Sequence, residues 1–305
     1  MSTYIFRRLI QGFFTFLGVS ALVFVMGHLT GDPIRLMVPE TATREQREEV
    51  RKRLGLDRPI LVQYGVFLGN LARGDLGRSY LQRQEVSELV LGRMPATLEL
   101  ALVSMLISIV ISIPLGVFVA LKRNTPWDLL GSALALIGQA MPNFWFGMVL
   151  IVIFSVELKW LPISGRGTFA QLILPAVTLA MASVGYFTRL MRSSMLDVLG
   201  QDYMRTARSK GATERAILVR HGLKNALIPV VTMVGMQFGN VLTGAFIIEM
   251  VFAWPGIGRL GVNSLFERDF PVIQGVIILS SVVFVLSNLL VDIFYSVLDP
   301  RISLE

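Results

Sequence analysis

Apolar residues in this chain run on without a break for about the thickness of a bilayer. They do not alternate with polar ones at strand spacing or confine themselves to one helix face. A spanning helix needs about 20 mostly apolar residues, because it rises 1.5 Å per residue through roughly 30 Å of hydrocarbon. Six stretches of that length carry no charged side chain: residues 9–31, 100–121, 129–156, 167–188, 225–248 and 270–291. The fourth contains Pro175 and opens on loop-like residues, so its helix is expected to begin near Leu172. Proline is tolerated in such a helix when neighbouring groups satisfy the freed carbonyl. Arg7 and Arg8 precede the first run much as they would in a secretory signal. That run is too long for an h-region and no small-residue cleavage site follows it, so it reads as an uncleaved helix with a cytoplasmic N-terminus.

Composition agrees with the pattern. The 305 residues are 53% hydrophobic and 16% charged, whereas soluble domains run nearer a quarter charged. The formal net charge of +7 points to basic cytoplasmic loops and not to nucleic acid. Arg7, Arg8, Lys122, Arg123, the basic cluster between Arg189 and Lys224, and Arg301 fall on one side. Lys159, Arg166, Arg259 and Arg268 fall on the other. The richer side is cytoplasmic by the positive-inside rule, which puts both termini inside. Cysteine is absent, excluding disulfide and thiol chemistry.

Residues 32–94 are long and nearly charge-balanced, hence external on this topology. Within them Thr43 and Gln46 form a capping box, and Gly55 can close the surface helix that they open, which would end at Leu54. The expected organisation is an N-terminal transmembrane helix (1–31) and an external region with a short surface helix (32–94). A five-helix core (95–299) holds a cytoplasmic loop at 191–224, and residues 300–305 form a cytoplasmic tail.

Several chemistries are missing. No G-x-x-x-x-G-K-[ST] phosphate loop occurs, so ATP is not bound by that route. His28 and His221 are far apart and on opposite membrane faces, which disfavours a metal site or a histidine-based triad. No G-x-S-x-G is present. The acidic residues in or beside the spans, Glu99, Glu157, Glu249 and Asp292, sit near span ends, where each reads as an interfacial carboxylate reaching water. Without mid-membrane charge a translocation path must be lined by neutral groups. Gln139, Asn143, Ser183, Gln237, Asn240 and Thr243, with Asn288, are candidates, and each could equally serve as an interhelical hydrogen-bond partner. This suits a gated conduit better than an ion-coupled carrier.

The cytoplasmic run from Asp197 to Pro229 is longer than a connection needs. Tyr203 to Lys210 suits a short helix, Gly211 can end it, and Thr213 can cap a second helix running to Arg220. Small residues at Ala207 and Gly211 among basic neighbours suit entry into an acid-lined cleft of a partner, while a merely solvated basic loop fits the composition equally well.

The run resembles the coupling loop of ABC importer permeases, EAA with a glycine four residues after the second alanine. Arg205, Thr206 and Ala207 occupy the EAA positions ahead of Gly211, and His221 and Lys224 stand where the general pattern has Ile and Pro. Those departures resemble the subgroup importing dipeptides, oligopeptides, nickel and glutathione. So do YIFRRL near the N-terminus, GDP at residues 31–33, LGLDRP at 54–59, GDLGRS at 74–79 and MPATLEL at 94–100. The same holds for FSVELKWLP at 154–162, ILP at 173–175 and EMVFAWPGIGRL at 249–260.

The resemblance implies an all-α, six-helix type I permease, the first of two homologous permease subunits in a bacterial or archaeal cytoplasmic membrane. Two separate ATPase subunits would bind ATP and Mg, and an extracytoplasmic solute-binding protein would deliver substrate. The chain itself would be no enzyme and would bind no cofactor or metal. Its implied partners beyond these are membrane lipid, with no nucleic acid. Arg205, Thr206, Ala207, Arg208, Lys210 and Gly211 would couple to the ATPase. Trp254, Pro255 and Gly256 would form either a plug-like external turn facing the receptor or an aromatic interfacial anchor. A stand-alone channel, a secondary carrier and an exporter are the competing readings. Peptides are the broadest substrate expectation, beside nickel chelates and glutathione.

Overall fold

The computed structural model describes residues 2–29, 34, 43–53 and 55–298, the side chains of residues 2–5, 28, 29 and 290–298 excepted. The expectations for residues 31–33, Leu54, the 300–305 tail and the Asp292 side chain lie outside the described set. Among the described residues the chain is helical, and strand pairing is limited to an isolated bridge between Arg78 and Glu85. The helices are α1 (Ser2–Leu29), α2 (Arg44–Arg53), α3 (Ile60–Ala72), α4 (Val86–Leu121), α5 (Pro126–Ala140) and α6 (Asn143–Leu150). They continue with α7 (Phe169–Leu199), α8 (Asp202–Ser209), α9 (Glu214–Ala216), α10 (Lys224–Val251), α11 (Ile257–Glu267) and α12 (Phe270–Leu298). π-helical stretches follow α6 (Ile151–Glu157) and α9 (Ile217–Leu223).

Five helical stretches are long and apolar enough to cross a membrane: those built on α1, α4, α7, α9–α10 and α12. The expected third span is not one straight helix. Pro126–Ala140 and Asn143–Glu157 meet at 104°. The cause is local: Pro142 pushes Met141 out of the helical region, to φ −73 and ψ 134. Each leg is about 22 Å long, too short to span alone, so 129–156 forms a broken span or a re-entrant loop.

Capping chemistry fixed other boundaries. Thr168 and Gln171 form a capping box that starts α7 three residues ahead of the expected Leu172, and Pro175 is accommodated within the helix. Thr43 N donates to Gln46 Oε1 at 2.9 Å and Gln46 N to Thr43 Oγ1 at 3.3 Å, the expected capping box of α2. Gly55, at φ +68, follows that helix as its closing turn. The apolar α3 was not anticipated.

The chain divides into two compact units. One holds residues up to Pro95 with Gly256–Leu289. Its core packs Val86 and Val90 of α4 with Ile257 and Leu260 of α11 and Val272 and Val276 of α12. Gln274 Nε2 donates to Val23 O at 3.2 Å, tying α12 to α1. Asp269, 1% exposed, accepts from Ser79 Oγ at 2.5 Å and Tyr80 N at 3.1 Å, pinning the 73–85 loop to the start of α12.

The other unit is Ala96–Pro255 with Leu290–Asp299, organised around α7, which packs on α5, α6 and α10. Lipid tails are as apolar as leucine, so helices here associate through close fit and not through the hydrophobic effect. α5 turns Gly131, Ala135 and Gly138 inward. Opposite them Gly185 brings α7 so near that a Cβ at that position would collide with Ala135 O. A basal cluster of Ala120, Met191, Met195, Ala226 and Val230 joins α4, α7 and α10.

Candidate functional site

The Gly211 turn is built by its own sequence. α8 ends at Ser209 with Lys210 as its C-cap, and Gly211 adopts φ +78. Gly211 N donates to Arg208 O at 2.9 Å and Ala212 N to Ala207 O at 3.2 Å. This 6→1, 5→2 pair is a Schellman closure, which requires a left-handed residue and so favours glycine. Thr213 then caps the next turn, accepting from Ala216 N at 3.4 Å. Arg208 Nε, 2.9 Å from Glu214 Oε1, bridges the turn from α8 to α9.

The second helix does not stop at Arg220. It continues through the π-helical stretch into α10, so Glu214–Val251 forms one helical rod of 38 residues. The loop is also fastened beneath. Met204 and Ile217 are wholly buried, a Cβ on Gly222 would touch Met195 and Met204, and Asn225 Nδ2 donates to Tyr203 Oη at 3.0 Å. Outward it presents Arg205, Thr206, Arg208, Lys210 and Gly211, with Ala207 half-buried. A Cβ on Gly211 would meet nothing within 4 Å.

A second ionic link lies at the same end of α7. Arg192 Nε and Nη2 donate to the two Asp128 oxygens at 2.7 and 2.8 Å. The carboxylate also accepts from Asn124 N at 3.0 Å. Asp128 gave no sequence signal, because its partner lies 64 residues away.

The six path candidates do not share one environment. Asn240 Nδ2 donates to Gln237 Oε1 at 2.7 Å, and with exposed Thr243 they mark one face of α10. Gln139 is exposed at the end of α5, and Asn143 is half-buried just past the bend. Ser183 is 3% exposed and faces helix packing instead. A cation sits beside one of the candidates: the exposed Arg189 guanidinium bonds Gln139 Oε1. Gln139 Cβ lies beside Gly185, one turn nearer the start of α7, so the Arg189 side chain points into the span and not away from it.

Among the described carboxylates Glu249 alone departs from expectation: it is wholly buried and accepts from Thr97 Oγ1 at 2.5 Å, whereas Glu157 is exposed and Glu99 half-exposed. Glu99 pairs with Arg166 at 2.6 Å, and Arg166 lies 5.8 Å from the Trp254 ring centre. Trp254 is 1% exposed, its indole N–H donating to Ala96 O at 2.8 Å. Its ring is packed inside the protein. Pro255 is half-buried and Gly256 buried. Among the described residues no group of three or more His, Cys, Asp or Glu could hold a metal ion.

Two helical rods thus meet at a fastened, outward-facing turn, over spans with a polar helix face. Residues 112–304 match the family described as binding-protein-dependent transport system inner membrane component, and residues 1–101 match the family's N-terminal membrane component. The chain belongs to this family, the membrane permeases of ABC importers, and is a multi-pass membrane protein. It is 43% identical to the oligopeptide transport system permease protein AppB of Bacillus subtilis, covering 99% of this chain and 100% of that one. It is 44% identical to the glutathione transport system permease protein GsiC of Salmonella typhimurium, covering 99% of both. In fold it is similar to the inward-facing MetNI methionine ABC transporter, with TM-score 0.60 and 20% identity over 69% of this chain and 96% of that one. An amino acid ABC transporter gives TM-score 0.52 and 18% identity, over 68% and 94%.

Proposed function

We propose that this chain is one of two homologous permease subunits of an ATP-driven importer of peptides or peptide-like thiols, with both termini cytoplasmic. The observation that carries the substrate class is the near-complete alignment, above 40% identity, with oligopeptide and glutathione permeases. The chain holds no phosphate loop, so ATP and Mg belong to two partner ATPases, and an extracytoplasmic receptor delivers the substrate.

Energy enters at the Gly211 turn. Ala207 and Gly211 supply the small contact surface, flanked by Arg205, Thr206, Arg208 and Lys210. α7 runs toward this turn and the Glu214–Val251 rod runs away from it. A displacement of the turn by closing ATPases is therefore carried to the face of α10 bearing Gln237, Asn240 and Thr243. Gln139, Asn143 and Arg189 line the path at the bend of the broken span. Ser183 acts through helix packing. Trp254, Pro255 and Gly256 anchor the external end.

The test uses the assembled transporter. Gly211→Trp leaves the chain inserted, because a Cβ there meets no described atom within 4 Å and the strain of φ +78 falls on an exposed turn, but abolishes ATP-driven uptake and weakens ATPase binding. Gly211→Asn, which tolerates the left-handed region, retains most activity. Normal peptide uptake by Gly211→Trp would sink the coupling role.

A further inference from the structure

α3 places unusual chemistry at a defined depth. Tyr64 Oη lies 2.9 Å from Ser20 Oγ and donates to Leu17 O at 3.3 Å, so α3 lies along the half of α1 that ends at Leu29. In the orientation proposed above this is the outer leaflet. The helix has 13 residues, about 20 Å, and cannot span. Its free face is apolar: Leu61 is 80% exposed and Val66 50%. Water would not favour such a face, whereas acyl chains would.

Beside it lies a cavity of about 570 Å³. Its lining carries Lys52, Arg53, Arg58 and Arg78, with Asp75 as its single carboxylate. Arg78 is engaged by Arg83 O at 2.8 Å. Lys52, Arg53 and Arg58 form no ion pair among the described residues. The same lining includes Phe24, Val66 and Phe67, with the Phe24 and Phe67 rings 5.6 Å apart. Cations and an aromatic pair lining one cavity, beside an apolar helix face along the outer half of α1, match one ligand chemistry: a phosphate carrying hydrocarbon.

We propose that the cavity between α2, α3 and α1 binds an anionic phospholipid of the outer leaflet. Its phosphate is held by Lys52, Arg53 and Arg58, and its acyl chains lie along Phe24, Phe67 and the exposed face of α3. The volume suits a headgroup with its first methylenes, and the tails continue over Leu61 and Val66 into the bilayer. The lipid explains why basic side chains gather here on the side that the positive-inside rule leaves poor in them. It also fixes the depth of α3, and through Tyr64 that of α1. An acidic protein partner would satisfy the cations, but it leaves the apolar part of the lining unexplained.

The experiment uses the assembled transporter reconstituted in vesicles of phosphatidylcholine with a minor fraction of phosphatidylglycerol, then released in mild detergent for native mass spectrometry. The wild-type complex is expected to retain phosphatidylglycerol in excess of its share. The Lys52→Gln/Arg53→Gln/Arg58→Gln variant should hold it on the order of 100-fold more weakly, since each of the three basic residues contributes about a factor of five. All three residues are exposed, so intact assembly is expected and is read in the same spectra. Unchanged phosphatidylglycerol retention overturns the proposal. So does equal loss of phosphatidylcholine, which means the site does not read charge. Weakened receptor binding with lipid retention unaltered also overturns it and gives the surface to the receptor.

Discussion

The Asp128–Arg192 pair fastens the N-terminal end of α5 to α7 just before α7 reaches the Gly211 turn. The Asp128 side chain is 10% exposed and that of Arg192 29%. Both carboxylate oxygens accept from the guanidinium in a fork, the geometry that lysine cannot reproduce. Arg192→Ala leaves a buried carboxylate with Asn124 N and Ser132 as its remaining partners. Breaking a buried pair from one side costs about 3–5 kcal/mol, mostly the uncompensated charge. Because Arg192 is partly solvated, the lower end of that range applies. Asp128→Asn leaves the mobile, more exposed partner unpaired and should cost about 1–3 kcal/mol. The double variant Asp128→Asn/Arg192→Gln removes both charges and should recover about 1–3 kcal/mol of the summed single losses. The assay is the midpoint of heat-induced unfolding of the purified permease in detergent, across the double-mutant cycle, with ATP-driven uptake read in parallel. Single losses that simply add, with interaction energy below about 0.5 kcal/mol, would refute the pair as a fastening. Arg192→Lys behaving as wild type would refute the need for a fork.

Four further outcomes follow from the same geometry. Trp254→Phe removes the indole N–H that bonds Ala96 O and should lower stability by about 0.5–1.5 kcal/mol, seen as a lower unfolding midpoint; a gate residue would instead change leak with no loss of stability. Asp269→Ala frees the loop held through Ser79 and Tyr80 and should speed tryptic cleavage after Arg78 and Arg83 by local opening. The Tyr80 phenol is pushed up to about 12 by burial, with the Asp269 charge adding to it. Its folded pKa therefore exceeds the ordinary value near 10, so its contribution to stability is intact below pH 10 and lost between about pH 10 and 12. Tyr80→Phe should remove that part of the alkaline loss in a pH series of unfolding midpoints. Arg189→Ala, at an exposed position, should change stability by less than about 0.5 kcal/mol yet depress peptide uptake, which a purely structural role would not do.

What was legible in the sequence depended on how far apart the cause lay. Charge-free runs locate spans because bilayer thickness is a single-chain constraint, and caps such as Thr43–Gln46 and Gly211 are closed within a few residues. The bend at Met141–Pro142 was equally local and could have been read from the proline, but an unbroken apolar run outweighed it. α3 escaped because 13 apolar residues fall short of a span. Glu249 looked interfacial because it ends an apolar run, and only the fold brings Thr97 to it across 152 residues. The same holds for Asp128 and for Arg189, whose position at a span end suggests snorkelling outward until Gln139 is found one turn inward.

In the proposed cycle, these long-range pairs set what moves together. The Gly211 turn cannot swing as a free loop, because Met204 and Ile217 are buried beneath it. Force applied there must therefore pass into α7 and the 38-residue rod. α7 in turn carries α5 with it through Arg192 and Asp128, and through the close contact at Gly185. The break at Met141–Pro142 lets α5 follow α7 without dragging α6 along the same axis. A straight third span would lock the two legs together. Replacing Pro142 by alanine, which restores the missing N–H and relaxes the constraint on Met141, should therefore slow uptake more than it alters stability. Uptake that falls only in proportion to the folded fraction would show that the bend is packing and not a hinge.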